Sequence, residues 1–231
     1  VLTLFIYDWL AAYPWIQTVP RFRLFIQWGS GLTALTAGVL ALTMPSLRRL
    51  LGSLLLLDMS VSLALLLVPA RVGWETAVLL PLLRSASLLL IVVGWQNLPE
   101  VGQNDAEWHG LGRQRPLAAL TLGYGLLSLL GLPLAMGFPG RWTAIALIAS
   151  EADVSFWLPM GLLLAMGGGI YGVWRGLAPL LMRGKTVGNG RPSVGMQIGL
   201  LLGVAAGVIV AVTSLVLTFV QRLAMLWLRA G

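Results

Sequence analysis

The chain has 231 residues, of which 58% are hydrophobic and only 10% charged, and its formal net charge is +7. Soluble domains carry about a quarter charged residues, so this composition speaks against a soluble enzyme and for a lipid environment. With no cysteine and one histidine, His109, the chain offers no disulfide, iron–sulfur ligation, thiolate zinc site or paired imidazoles for haem or metal, and no cofactor of its own is expected.

The first residues, Val1–Pro20, are apolar but interrupted by Asp8, Pro14 and Pro20. They read as the remnant of a span, an interfacial segment, or both. No basic stretch followed by a cleavage site opens the chain, and a start at Val1 rather than Met leaves open whether the N-terminus is complete. A membrane helix needs about 20 apolar residues to cross about 30 Å of hydrocarbon. Leu24–Met44 meets this without a charge, and Pro45, Ser46, Arg48 and Arg49 end it. Leu50–Pro69 follows with a single Asp58. Arg71 and Glu75 mark an expected short turn before the third span, Thr76–Leu98, which contains Arg84. A polar loop then runs from Pro99 to Arg115, and Pro116 suits the first turn of the next helix.

That helix runs into GLPLAMGFPGRW, where Gly131, Pro133, Gly137, Pro139 and Gly140 preclude a regular helix. Trp142–Ser150 is apolar again, so Pro116–Ser150 is expected to be one discontinuous fourth span. Val154–Trp174 is the fifth and Gln197–Val220 the sixth. The architecture expected is therefore all-α and membrane-integral, with about six transmembrane helices. Gly199, Gly203 and Gly207 repeat at four-residue spacing, which suits close helix packing. Many of the tryptophans fall near span ends, as an interfacial belt would place them.

Alternation of spans puts Arg48, Arg49, Arg113, Arg115, Arg175, Arg183, Lys185 and Arg191 on one side. Arg21, Arg23, Arg71, Arg222 and Arg229 share the other with Glu151 and Asp153. The positive-inside rule makes the first side cytoplasmic and the C-terminus non-cytoplasmic. Bases scattered between apolar segments in this way fit cytoplasmic loops, not nucleic-acid binding.

An ionisable group in hydrocarbon costs about 2.5–3.5 kcal/mol on insertion scales and faces protein or water. Asp58, Arg84 and Arg141 qualify. By helical rise, Asp58 and Arg84 sit at depths within roughly 5–8 Å of each other, so they are expected to pair, either as a structural pin between two helices or as part of an ion relay. A guanidinium does not exchange its proton at accessible pH, which weighs against autonomous pumping. Arg141, just after the break, is expected to be solvated by freed carbonyls and trapped water, or else to snorkel to an interface. His109, near Asp105 and Glu107, reads as a solvated or hydrogen-bonded loop residue and not as a catalytic one.

The segment GLGRQRPLAALTLGYGLLSLLGLPLAMGFPGRW, Gly110–Trp142, resembles the antiporter-like membrane subunits of respiratory complex I. The N-type subunit is closest, with Mrp antiporter and membrane-bound hydrogenase subunits as relatives. These read as a GLGRRRP loop, a helix ending SLxGIPP, a break, then GFxGKW or GFxGKF. LRRLLGSLLLLDMS, Leu47–Ser60, is similar to the family's LKRLLAYSSIAHLG, with Arg48 at a lysine position and Asp58 where a polar or histidine residue is common. The resemblance implies that residues 24–178 form the second of two inverted five-helix repeats, with its broken helix fourth. It further implies a basic cytoplasmic loop at 179–195 and a final helix in 196–231. Partners would be the other membrane subunits of a complex I-type assembly, an NAD(P)H- or ferredoxin-linked quinone oxidoreductase, and lipids. Any redox cofactor would belong to those partners, and a bacterial inner or thylakoid-like membrane is implied.

Departures from the pattern bear on transport. The first repeat, with its buried Glu–Lys pair, is missing; the broken-helix lysine is Arg141; and Gly52, Leu54, Leu55 and Asp58 replace the AYSS and His pattern. Three functions stay open: a subunit contributing half of a proton or cation path, an accessory scaffold that has lost transport chemistry, or a small independent transporter formed by dimerisation.

Overall fold

The computed structural model describes residues 2–44, 46–98, 110–182, 197–213 and 216, and every helical assignment below concerns these. Helix α1 (Leu2–Ala12) and the single turn α2 (Trp15–Thr18) lead into α3 (Pro20–Thr43). Proline at the first helical position costs no hydrogen bond, and Met44, ahead of Pro45, is extended, as a residue before proline prefers. The helix starts earlier than the charge pattern suggests because Arg21 and Arg23 lie within its first turn, where long cations reach outward along the helix.

Helix α4 (Leu47–Ala64) tightens into a 3-10 turn at Leu65–Leu67 before Pro69. Helix α5 (Ala70–Gln96) begins directly after that proline. Arg71 and Glu75 are thus inside the helix and do not form the turn expected from their charge. Pro81 sits within α5 and leaves one rung of its hydrogen-bond ladder unmade. After the short turn α6 (Leu111–Gln114) come α7 (Pro116–Leu130), α8 (Phe138–Ser150), α9 (Trp157–Leu181) and α10 (Gln197–Thr213). Helix α9 continues past Arg175 and Pro179, so the boundary expected at residue 178 falls within a helix. His109, most of the 99–115 loop, the basic residues 183–191 and the end of the sixth expected span lie outside the described residues.

Four helices are long and apolar enough to cross a membrane: Pro20–Thr43, Leu47–Leu67, Ala70–Gln96 and Trp157–Leu181. Helices α7 and α10 are apolar but shorter. The second of the four is the centre of the bundle, with 67% of its apolar window buried against 33% for the α5 window. Helices α3 and α9 approach most closely through small residues. A side-chain carbon at Gly168 would lie 2.8 Å from the Gly38 carbonyl oxygen, and one at Gly172 2.5 Å from that of Ala41. Helix α5 packs on α7 in the same way, Gly94 lying against the backbone of Leu122. Such contacts are how helices associate where lipid removes the hydrophobic drive.

The N-terminal segment is integrated into this bundle. Tyr7 and Leu10 are fully buried. The Tyr7 hydroxyl lies 3.2 and 3.1 Å from the carbonyls of Leu65 and Val68, and Gln17 Nε2 donates to those of Leu66 and Val68 at 3.1 and 3.2 Å. The Leu65 carbonyl also accepts from the Val68 amide at 3.0 Å, and all three lie at the helix end, where carbonyls run short of intrahelical partners.

Candidate functional site at the helix break

Helix α7 ends at Gly131, whose φ of +70° is left-handed. The Gly131 amide bonds the Ser128 carbonyl at 2.9 Å and the Leu132 amide bonds Leu127 at 3.2 Å, the paired pattern of a Schellman stop. Pro133 lies in the connecting segment, Gly137 precedes α8, and Pro139 and Gly140 form its first turn. Non-helical backbone at membrane depth must find protein or water partners, and side chains supply several here. Ser128 Oγ accepts from the Gly137 amide at 3.0 Å and bonds Ser87 Oγ at 2.8 Å. Trp142 Nε1 donates to the Gly131 carbonyl at 2.9 Å, and Tyr124 Oη to that of Leu134 at 3.3 Å.

Asp58 and Ser62, four residues apart on α4, share one helical face. Asp58 Oδ2 receives Arg84 Nε from α5, and Oδ1 receives Arg141 Nη2 from α8. Arg84 also donates to Ser62 Oγ at 2.6 Å and to Met59 Sδ at 3.2 Å. The three charges of the sequence pattern therefore meet in one cluster. Arg141 is 1% exposed and Asp58 4%, so neither snorkels to an interface. The guanidinium of Arg141 goes to Asp58 and not to the freed carbonyls; its stem passes over Gly131, where an added Cβ would lie 2.8 Å from Arg141 Cδ. Beside the cluster is a cavity of about 10 Å³ lined by Asp58, Arg84, Ser87, Ser128, Gly137 and Arg141 among others.

Ser62, Ser87, Ser128 and Trp142 are partners that the sequence did not single out. Their signal is weak, since lone serines in an apolar helix usually bond their own backbone. Of the glycines on α10, Gly203 faces Leu90 and Gly207 faces Tyr124, while no described atom lies within 4 Å of the Cβ position of Gly199.

The family described as NADH:quinone oxidoreductase/Mrp antiporter, TM, matches residues 2–166, which takes in α1 and α2 as well as the cluster. Among curated relatives, the chain is similar to NADH-quinone oxidoreductase subunit N of Parafrankia sp. (strain EAN1pec), at 32% identity over 52% of this chain and 24% of that protein. It is similar to subunit N of Thermobifida fusca (strain YX) at 25% identity over 82% of this chain and 37% of that protein. A shorter stretch, 26% of this chain, is 38% identical to subunit N 2 of Chloroherpeton thalassium and covers 12% of it. The chain thus spans well under half the length of these relatives. The all-helical fold with four membrane-length apolar helices, the broken-helix motif and a family match over most of its length lead to one conclusion: the chain is an integral membrane protein belonging to the NADH:quinone oxidoreductase/Mrp antiporter membrane family.

Proposed function

We propose that this chain is a membrane-arm subunit of a complex I-type assembly, N-type in character, working alongside other membrane subunits. In this reading six spans cross the membrane. Pro116–Ser150 is one discontinuous crossing, residues 24–178 correspond to the second antiporter-like repeat, and 196–231 supplies the final helix. The membrane is a bacterial inner or thylakoid-like one, with the C-terminus on the non-cytoplasmic side. The observation that carries the functional reading is the Arg84–Asp58–Arg141 cluster. It ties the broken helix to its two neighbours, and buried charge held between membrane helices supports a contribution to one half of an ion path.

A second reading, an accessory scaffold without transport, draws support from the same cluster. Both cations are guanidinium groups, which hold their protons, and both are bound to the one carboxylate. Arg141→Ala in the intact assembly separates the two. Loss of quinone-coupled proton transport with electron transfer retained supports the ion path, and unchanged coupling supports the scaffold. Affinity purification of the tagged chain is expected to bring redox and membrane subunits with it. Ion transport by the isolated chain in liposomes would contradict both readings.

A further inference from the structure

We propose that the cavity beside Arg141 is a binding site for a small monovalent anion of chloride's size. The proposal rests on the cluster's geometry alone and holds whether or not the cluster conducts ions.

Charge is the first argument. Two guanidinium groups and one carboxylate leave a net positive charge, held among apolar helices where uncompensated charge is strongly disfavoured. The second argument is an unsatisfied donor. Arg141 is 1% exposed; its Nη2 binds Asp58, but its buried Nη1 has no hydrogen-bond partner among the described residues. A buried cationic N–H left bare costs more than a neutral one.

Space and sign then select the occupant. The cavity, about 10 Å³, is at the lower limit for one water, so it takes a single small occupant, and chloride, larger than water, seats with a small outward shift of the lining side chains. Ser87 Oγ donates to the Leu83 carbonyl at 2.7 Å, so Ser128 donates in the serine pair while accepting from the Gly137 amide. Both hydroxyl protons are thereby used, and each Asp58 oxygen already receives a guanidinium N–H. A water would satisfy Nη1 but leave the charge uncompensated and compete for acceptors already engaged. A metal cation would meet a site of its own sign. An anion suits both the free donor and the positive field, to which the N-terminus of the 13-residue α8 adds.

The test uses the full chain purified in detergent, exchanged into potassium gluconate and titrated with potassium chloride at constant ionic strength. The wild type is expected to show a saturable excess in chloride NMR line width and a parallel rise in Tm. Arg141→Ala is expected to lose both. Asp58→Asn removes the cluster's carboxylate charge and is expected to lower the half-saturating chloride concentration several-fold. That shift is opposite to the one misfolding gives, so Asp58→Asn and the wild type decide the matter if Arg141→Ala fails to fold. No saturable excess in the wild type means that the cavity holds water only and overturns the proposal. An excess whose half-saturation is unmoved by Asp58→Asn places any chloride elsewhere and overturns it equally.

Discussion

Asp58 is the residue on which the cluster turns, because it alone receives both arginines. Arg84 has 12% of its side chain exposed and Arg141 only 2%, so the two would respond differently to losing their counter-charge. Arg84 keeps Ser62 and Met59 and a path outward, whereas Arg141 has neither. Breaking a buried ion pair from one side costs about 3–5 kcal/mol, while replacing the whole set by apolar residues of similar volume is often neutral. Asp58→Asn in gluconate is therefore expected to lower unfolding stability by about 3–5 kcal/mol. The triple change Asp58→Leu, Arg84→Met, Arg141→Met is expected to recover most of that loss. Thermal or denaturant unfolding in detergent checks both. If the triple variant is as unstable as Asp58→Asn, the cluster's value lies in its hydrogen-bond geometry and not in its charge balance. The cost of burying charge made all three residues visible in the sequence. That Arg141 turns toward Asp58, 83 positions away, was not visible, because the direction of its side chain depends on how the break folds.

The break was legible as an element from glycine and proline density alone, since no helix keeps three glycines and two prolines across Gly131–Trp142. Its internal bonding was not, because Ser128, Tyr124 and Trp142 become partners only once the chain has reversed over them. Gly131 carries two requirements at one position. Its φ of +70° disfavours any side chain, and the Cβ position is occupied by the stem of Arg141. Gly131→Ala is expected to cost about 1–2 kcal/mol from the left-handed backbone alone, with more from displacing the arginine. Gly167→Ala on α9 is the matched control. No described atom lies within 4 Å of its Cβ position, so it is expected to be stabilising by about 0.5–1 kcal/mol through helix propensity. Equal effects in unfolding measurements would mean that the break is not under this constraint. Helix α9 also shows the limit of glycine spacing as a signal. Gly167, Gly168 and Gly169 are consecutive, and only the positions of the neighbouring helices determine that Gly168 meets the α3 backbone, Gly169 the Leu130 side chain and Gly167 no described atom. The four-residue spacing on α10 is more regular, yet it brings Gly203 and Gly207 against Leu90 and Tyr124 and sets no described atom within 4 Å of the Gly199 Cβ position.

At the scale of the molecule, the charged side chains away from the helix break join elements at two ends of the bundle. At one end Arg23 pairs with Asp153 at 3.1 Å and Gln27 Nε2 donates to the Asp153 carbonyl at 3.0 Å, joining the start of α3 to the segment before α9. At the other, Arg175 donates to the Met44 carbonyl, the Gly110 amide to that of Pro179 at 3.1 Å, and Arg115 Nη1 to that of Asn97 at 2.8 Å. Arg48 lies over the Trp95 ring at 5.3 Å there as well. The second end thus gathers Arg48, Arg115 and Arg175 with no described carboxylate among these contacts, whereas the first mixes both signs. The positive-inside rule assigns the basic end to the cytoplasm, and the chain is well suited to testing this because it contains no cysteine. Ala152 and Met182 are exposed and flank α9 at its opposite ends. Met182→Cys is expected to react with a membrane-impermeant maleimide only in inverted vesicles, and Ala152→Cys only in right-side-out ones. Labelling of both from one side would show that α9 does not cross the membrane. Labelling with the sides exchanged would keep the crossing and invert the orientation, placing the basic end outside against the charge rule.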